Sequence, residues 1–181
     1  MTMPAAAATR FEIVAPASSL EYEATSTLHA VRGKTAKLSG FIEAEIDADG
    51  TLALEPAPRM HLEFALDSLA SGNPLQDLQL LRTIDNARFP RVSADLKGLV
   101  PGARPGDYLA SGEITFAGRA RRYDGPLSIA ARGERLELRG DLKLDMRDFG
   151  LQPPRLAMLS VDPLVSVRLR ATAVKIPNGN G

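Results

Sequence analysis

Charged and apolar residues alternate without a break from Arg135 to Met146. Arg135, Glu137, Arg139, Asp141, Lys143 and Asp145 share one parity, and Leu136, Leu138, Gly140, Leu142, Leu144 and Met146 the other. A period of two puts all the charges on one face, which predicts a half-buried strand; a helix would scatter them around its circumference. The same alternation recurs at Leu20, Tyr22, Ala24, Ser26 and Leu28, at Leu38, Gly40, Ile42, Ala44 and Ile46, and at Met60, Leu62, Phe64 and Leu66. It recurs again at Val92, Ala94 and Leu96, at Ile114 and Phe116, at Leu127, Ile129 and Ala131, and at Val165, Val167, Leu169, Ala171 and Ala173. Asp47 to Gly50, Pro101-Gly102 and Arg132-Gly133 punctuate these runs as turns, while Pro56 and Pro58 rule out an unbroken central strand between them.

Two segments depart from the period of two. Asn73-Pro74 reads as a helix start, with Asn73 as N-cap, Pro74 at the first helical position and Gln76 placed to close a capping box. Leu75, Leu78, Leu81 and Ile84 then follow at helical spacing, which predicts a main helix over about 74–85 with that stripe turned inward. A shorter helix is predicted near 153–159, after Gly150. Residues 10–176 read as a single domain between flexible ends at 1–9 and 177–181.

The fold class is therefore all-β: many short antiparallel strands with one continuous apolar face, forming a sandwich or a closed barrel. Several residues on that face are small, namely Ala24, Ala44, Ala94, Ala131, Ala171, Ala173, Gly40 and Gly140. Small inward residues leave room for a ligand in a barrel, or mark places where strands pass closely. Both readings are open at this level.

Composition narrows the chemistry. The 181 residues carry 22 basic and 22 acidic groups, so the chain is not built to coat nucleic acid or an acidic surface. The charge is uneven, with 7 basic and 12 acidic groups in residues 1–90 and 15 and 10 in the rest, as expected of two halves of one mixed surface. With no cysteine and two histidines, disulfides, thiolate ligands, a cysteine nucleophile and a three-histidine zinc site are excluded. No stretch approaches the about 20 apolar residues of a membrane-spanning helix. The N-terminus lacks the basic region and long apolar run of a secretory signal, so the chain as written reads as cytoplasmic. Ser18 and Ser19 with His29, His61 and the many aspartates permit a nucleophilic triad on paper, but no Gly-x-Ser-x-Gly elbow supports one.

The order of motifs resembles the YceI-like, polyisoprenoid-binding family. Leu28-His29-Ala30-Val31-Arg32-Gly33 resembles its early His-x-Val-x-Gly stretch. The run Asp67 to Asn73, with Asp77 and Ile84 to Pro90, resembles its central signature. Gly112 to Gly118 is similar to its Gly-x-Leu-Thr-x-x-Gly strand, and Arg147-Asp148-Phe149-Gly150 to its Arg-x-Phe-Gly tail. The correspondence runs in order from about Phe11 to Val174. It implies an extended, lipocalin-like antiparallel barrel of about eight strands with one helix. It also implies non-catalytic binding, carriage or sequestration of a long apolar lipid of polyisoprenoid, isoprenoid quinone or fatty-acyl type, without cofactor or metal. Relatives of this kind are typically periplasmic or secreted.

On that reading the lumen candidates are Tyr22, Leu62, Phe64, Leu66, Leu78, Leu81, Ile114, Phe116, Leu127, Ile129, Leu138, Leu142, Val167 and Leu169. Such a ligand needs only a dry tunnel, which gains about 25 cal/mol per Å² buried. Head-group candidates are His29 and the basic cluster Arg119, Arg121 and Arg122, read as a turn between two strands that Asp124 and Gly125 close. Expected partners are the lipid and, transiently, a membrane, with neither nucleic acid nor an integral membrane segment and with room for a homodimer. The competing reading is a barrel with a filled core that serves as a protein-interaction or stress-response domain.

Overall fold

A computed structural model describes residues 8–153, 155–156 and 159–177. Its strands are β1 (Thr9–Ile13), β2 (Ser19–Ser26), β3 (Ala30–Thr35), β4 (Ser39–Ala44), β5 (Arg59–Ala65), β6 (Arg91–Pro101), β7 (Asp107–Phe116), β8 (Arg119–Arg132), β9 (Arg135–Asp145), β10 (Arg155–Leu156) and β11 (Leu159–Lys175). All pair antiparallel in the order β1-β4-β5-β6-β7-β8-β9-β11-β2-β3, and β1 also pairs with β11. β1 and β2 run in one direction as a single interrupted stave, and β3 and β4 likewise run as another. Because β1 pairs with β4 and β2 with β3, the sheet closes into a barrel of eight staves.

Side chains near the interruptions satisfy backbone groups that the ladder leaves free. Between β1 and β2 the Ser18 hydroxyl donates to the Val14 carbonyl at 2.8 Å and accepts from the Thr172 N–H at 3.0 Å. Below β3, Thr35 Oγ1 accepts from the Lys37 N–H at 3.1 Å and shares a hydrogen bond with the Ser68 hydroxyl at 2.7 Å. Buried polar groups without such partners would be costly.

The barrel is close-packed at one end and hollow between that core and the helix that closes the other. Away from the helix, Phe11, Ile42, Leu52, Tyr108, Ile129, Leu136 and Leu138 form a close-packed core with Ala44, Ala171 and Ala173. The buried Tyr108 hydroxyl accepts from the Leu52 N–H at 3.3 Å. A register shift between Leu96 and Gly98 in β6 turns Leu99 into this core and leaves Val100 60% exposed, opposite Leu109. At the other end, helix α1 (Pro74–Ile84) roofs the barrel. The Asn73 side chain accepts from the Leu75 and Gln76 N–H groups, and Asp85 ends the helix in the left-handed region at φ 57°.

Two expectations need correction here. No helix forms at 155–156 or 159, which lie in β10 and β11; residues 154, 157 and 158 lie outside the described residues, as do 1–7 and 178–181 of the expected flexible ends. Arg119, Arg121 and Arg122 are not in a turn. The β7–β8 hairpin turns on Ala117 and Gly118 alone, both at positive φ, and the arginines begin a 14-residue strand in which Arg122 pairs with Glu113 and Arg121 with Ile114. Two residues at positive φ match the strand twist in a tight hairpin, so no longer loop is needed.

Candidate functional site

Between the packed end and the roof lies a cavity of about 320 Å³. Its walls alternate large and small side chains: Leu20, Leu62, Phe64, Ile114, Leu127, Leu142, Val167 and Leu169 beside Ala24, Ala94, Ala110, Gly112, Gly125 and Gly140. Gln76, Gln79, Leu80 and Ile84 close it from the helix. A void of roughly 150 Å³ lined by aliphatic side chains already stays dry and accepts benzene, so this space suits an apolar guest. The few polar groups in its lining include Tyr22, Ser93 and Tyr123.

Ten of the lumen candidates line this cavity: Tyr22, Leu62, Phe64, Leu66, Ile114, Phe116, Leu127, Leu142, Val167 and Leu169. Ile129 and Leu138 do not. They sit opposite each other one step below the Leu127–Gly140 pair and belong to the packed core, with 2% and 5% exposure. Their parity is inward, but parity carries no information about depth along the axis.

Leu78 and Leu81 do not line it either, and the helix explains why. Along the predicted stripe Leu75 is 78% exposed, Leu78 43% exposed, Leu81 partly buried and Ile84 only 2% exposed. The C-terminal end of the helix is buried, with Ile84 in one cluster with Leu66, Met146 and Phe149, whereas Leu75 and Leu78 nearer the N-terminus stay exposed. The row facing the cavity is Gln76, Leu80 and Ile84. Gln76 therefore closes no capping box: the Asn73 N–H donates instead to Ser71 Oγ at 3.2 Å, and Gln76 lines the cavity with Tyr22. Burial raises that phenol above its ordinary range, with Gln76 acting in the opposite sense.

The head-group candidates are not brought together. Arg119 and Arg121 share the inward parity of Tyr123 and Leu127 but lie exposed at the rim, where the Arg119 guanidinium packs beside Gly150. Arg122 is on the outer face of β8. The His29 ring bonds the Ala30 carbonyl at 3.0 Å in the β2–β3 turn. His61 is on the outer face of β5, partly buried rather than free in solvent: its Nδ1 meets Asp95 Oδ1 at 2.7 Å and its ring stacks on Phe41 at 6.0 Å. Ser18, committed to Val14 and Thr172, meets neither histidine.

Sequence reasoning, which reads Phe116 as a lumen residue and Phe149 as plugging one end of the barrel, missed Tyr123, which joins them in an aromatic cluster at the helix end of the cavity. Phe149, 2% exposed, meets Phe116 edge-on at 5.3 Å and stacks on Tyr123 at 6.0 Å. The Tyr123 hydroxyl donates to the Asp148 carboxylate and accepts from the Asp145 N–H at 3.1 Å. Burial, then the Asp148 interaction, raises this phenol above its ordinary range. The Asp145 carboxylate is held below its usual range by the Arg147 guanidinium and N–H. Tyr123 shares the inward parity of Leu127 and Ile129, a signal the sequence did contain.

A closed eight-stave barrel, half packed and half hollow beneath one helix, defines a lipocalin-like barrel. The chain belongs to the YceI-like family, whose domain model matches residues 11–173. No curated protein matches the sequence. Among solved structures, BcnA of Burkholderia cenocepacia has a TM-score of 0.74 at 15% identity, covering 90% of this chain and 99% of that one. A polyisoprenoid binding domain from Saccharophagus degradans, implicated in plant cell wall breakdown, has a TM-score of 0.72 at 17% identity, covering 93% and 99%. The YceI protein of Campylobacter jejuni has a TM-score of 0.63 at 12% identity, covering 82% and 86%. At these identities the structural likeness establishes the fold.

Proposed function

We propose that this protein binds a long apolar lipid in the hollow half of the barrel and carries or sequesters it without chemical change. A polyisoprenoid, an isoprenoid quinone or a fatty-acyl chain all fit that description. The observation that carries the proposal is the cavity of about 320 Å³ with its almost wholly aliphatic and aromatic lining. An apolar chain entering it gains about 25 cal/mol for each Å² removed from water and asks for no directed partner. The Saccharophagus degradans domain, which binds a polyisoprenoid on a similar barrel, supports the reading. A filled-core interaction domain is disfavoured, because a cavity separates the packed core from the helix roof. Leu75 and Leu78, exposed on the outer side of the roof helix, offer apolar contact during a transient approach to a membrane.

Native mass spectrometry of the purified protein, followed by organic extraction, tests this. An extended apolar molecule near one per chain is expected. Protein that emerges empty, and takes up neither prenyl nor acyl chains when offered them, would overturn it.

A further inference from the structure

The barrel wall contains a seam. β8 and β9 pair from Arg132 and Arg135 only as far as Leu127 and Gly140, although β8 extends to Arg119 and β9 to Asp145. Beyond that point β8 pairs with β7 and β9 with β11, not with each other. Pro126, the first residue past the last pair, has no N–H to donate across. At the foot of the seam the edges touch closely because β8 offers no side chain there: a Cβ on Gly125 would meet the Asp141 carbonyl oxygen at 3.1 Å and Leu142 Cδ1 at 3.2 Å. Higher up, side chains of β8 span the seam: Arg119 packs beside Gly150, and Tyr123 makes the hydrogen bonds. Tyr123, from β8, bonds through its hydroxyl to the Asp145 N–H and the Asp148 carboxylate on the far side.

The two sides of this seam differ in chemistry. Inside is the apolar cavity. Outside is an open recess bordered by Glu21, Arg32, Lys34, Asp124, Lys143 and Arg168. Gly125, Pro126, Asp141 and Leu142 line both spaces, as do Tyr22 and Val167 on the neighbouring β2–β11 pair; only at the first four is the backbone ladder between the strands interrupted. An amphiphile that entered under the roof head-first would drag its polar end through the apolar lumen, where burial without a partner is unfavourable. At the seam the polar end stays among charged groups while the chain slides inward.

We propose that the β8–β9 seam is the port through which the lipid enters and leaves, with its polar end in the outer recess and Tyr123 as the latch. This rests on the carrier reading above. In the same register that pairs Leu127 with Gly140, Asp124 and Lys143 face each other across the outer side of the seam. The chain has no cysteine, so D124C/K143C places a single pair of thiols there.

The test is retinol, a fluorescent isoprenoid alcohol, released from the loaded protein to lipid vesicles. Joining the two thiols, by oxidation or by a short bis-alkylating reagent, is expected to slow release about ten-fold or more against the same protein reduced, as closure of a gate does. Y123F, which keeps the ring on Phe149 but loses both hydroxyl bonds, is expected to speed release several-fold in the wild-type background. Saturable binding with identical rates in joined and reduced protein would overturn the port and leave the carrier reading standing. Thiols that neither treatment joins would also overturn it, because the edges would not face each other. Absence of saturable binding in the wild type would remove the carrier reading, and the port with it.

Discussion

The Tyr22 ring lies directly on Gly33, its cross-strand partner: a Cβ at Gly33 would sit 2.2 Å from Tyr22 Cε1. The glycine is required by space rather than by a turn, because the aromatic ring covers the surface its missing side chain leaves. Gly33→Ala is therefore expected to push the Tyr22 ring into the cavity, costing about 1–3 kcal/mol as overpacking does and lowering lipid content at the same time. Urea denaturation beside lipid quantitation of the purified variant checks both effects. Unchanged stability would mean that the ring finds another place at no cost.

Leu127 and Ile129 are two residues apart on β8 with the same parity, yet one lines the cavity and the other lies beneath its floor. Ile129→Ala is expected to cost about 2–5 kcal/mol, because it opens a hole in a packed core, and to leave the lipid stoichiometry unchanged. Leu127→Ala borders space already empty, so a smaller loss of about 1–2 kcal/mol and a change in lipid retention are expected. Chemical denaturation of the delipidated proteins separates the two. Equal losses would place both residues in one solid core.

Asn73 caps the roof helix with two hydrogen bonds, at 3.1 Å to the Leu75 N–H and 3.3 Å to the Gln76 N–H. Asn73→Ala is expected to cost about 1 kcal/mol. Because Ile84 is the helix's one buried residue and Leu75 and Leu78 are exposed, the loss should appear as local opening of the N-terminal half. Amide exchange across Gln76 to Leu80 should accelerate more than exchange in the packed end of the barrel.

The pH dependence has two arms of opposite sign. The Tyr123 phenol is raised, mainly by burial, so the folded state holds this proton more tightly than the unfolded chain does. Its contribution is present below the unfolded value near 10.0 and is lost as pH rises through the higher folded value. The Asp145 carboxylate is lowered by its hydrogen bonds from Arg147, so its contribution is present above the unfolded value of 3.8 and is lost as pH falls through the lower folded value. Thermal unfolding across both ranges should show Y123F removing part of the alkaline decline, and Asp145→Asn part of the acid decline. A Y123F curve parallel to wild type above pH 10 would mean that Tyr123 titrates as in the unfolded chain.

Strand parity was legible in the sequence wherever charge and aliphatic residues alternate, because a pleated strand sorts successive side chains to opposite faces whatever it packs against. That rule placed Leu62, Phe64, Leu142 and Leu169 inward, and Asn73-Pro74 marked the helix start by the same local logic of capping. Depth and tilt were not legible. Only closure of the barrel decides that Leu127 meets empty space while Ile129 meets Tyr108 and Leu138. Likewise, only the wedge of Ile84 against Phe149 decides that Leu78 faces outward and Gln76 faces in. The small residues show the same division. Ala24, Ala94 and Gly140 leave room in the hollow half, whereas Ala44, Ala171 and Ala173 let strands pack closely in the filled half. At Gly40 a Cβ would sit 2.0 Å from the His61 carbonyl oxygen, a close strand contact that no local pattern announces. Periodicity is a property of neighbours along the chain, and it settled the faces. A cavity is a property of residues that meet across the barrel, so only the tertiary structure decided where it begins and ends.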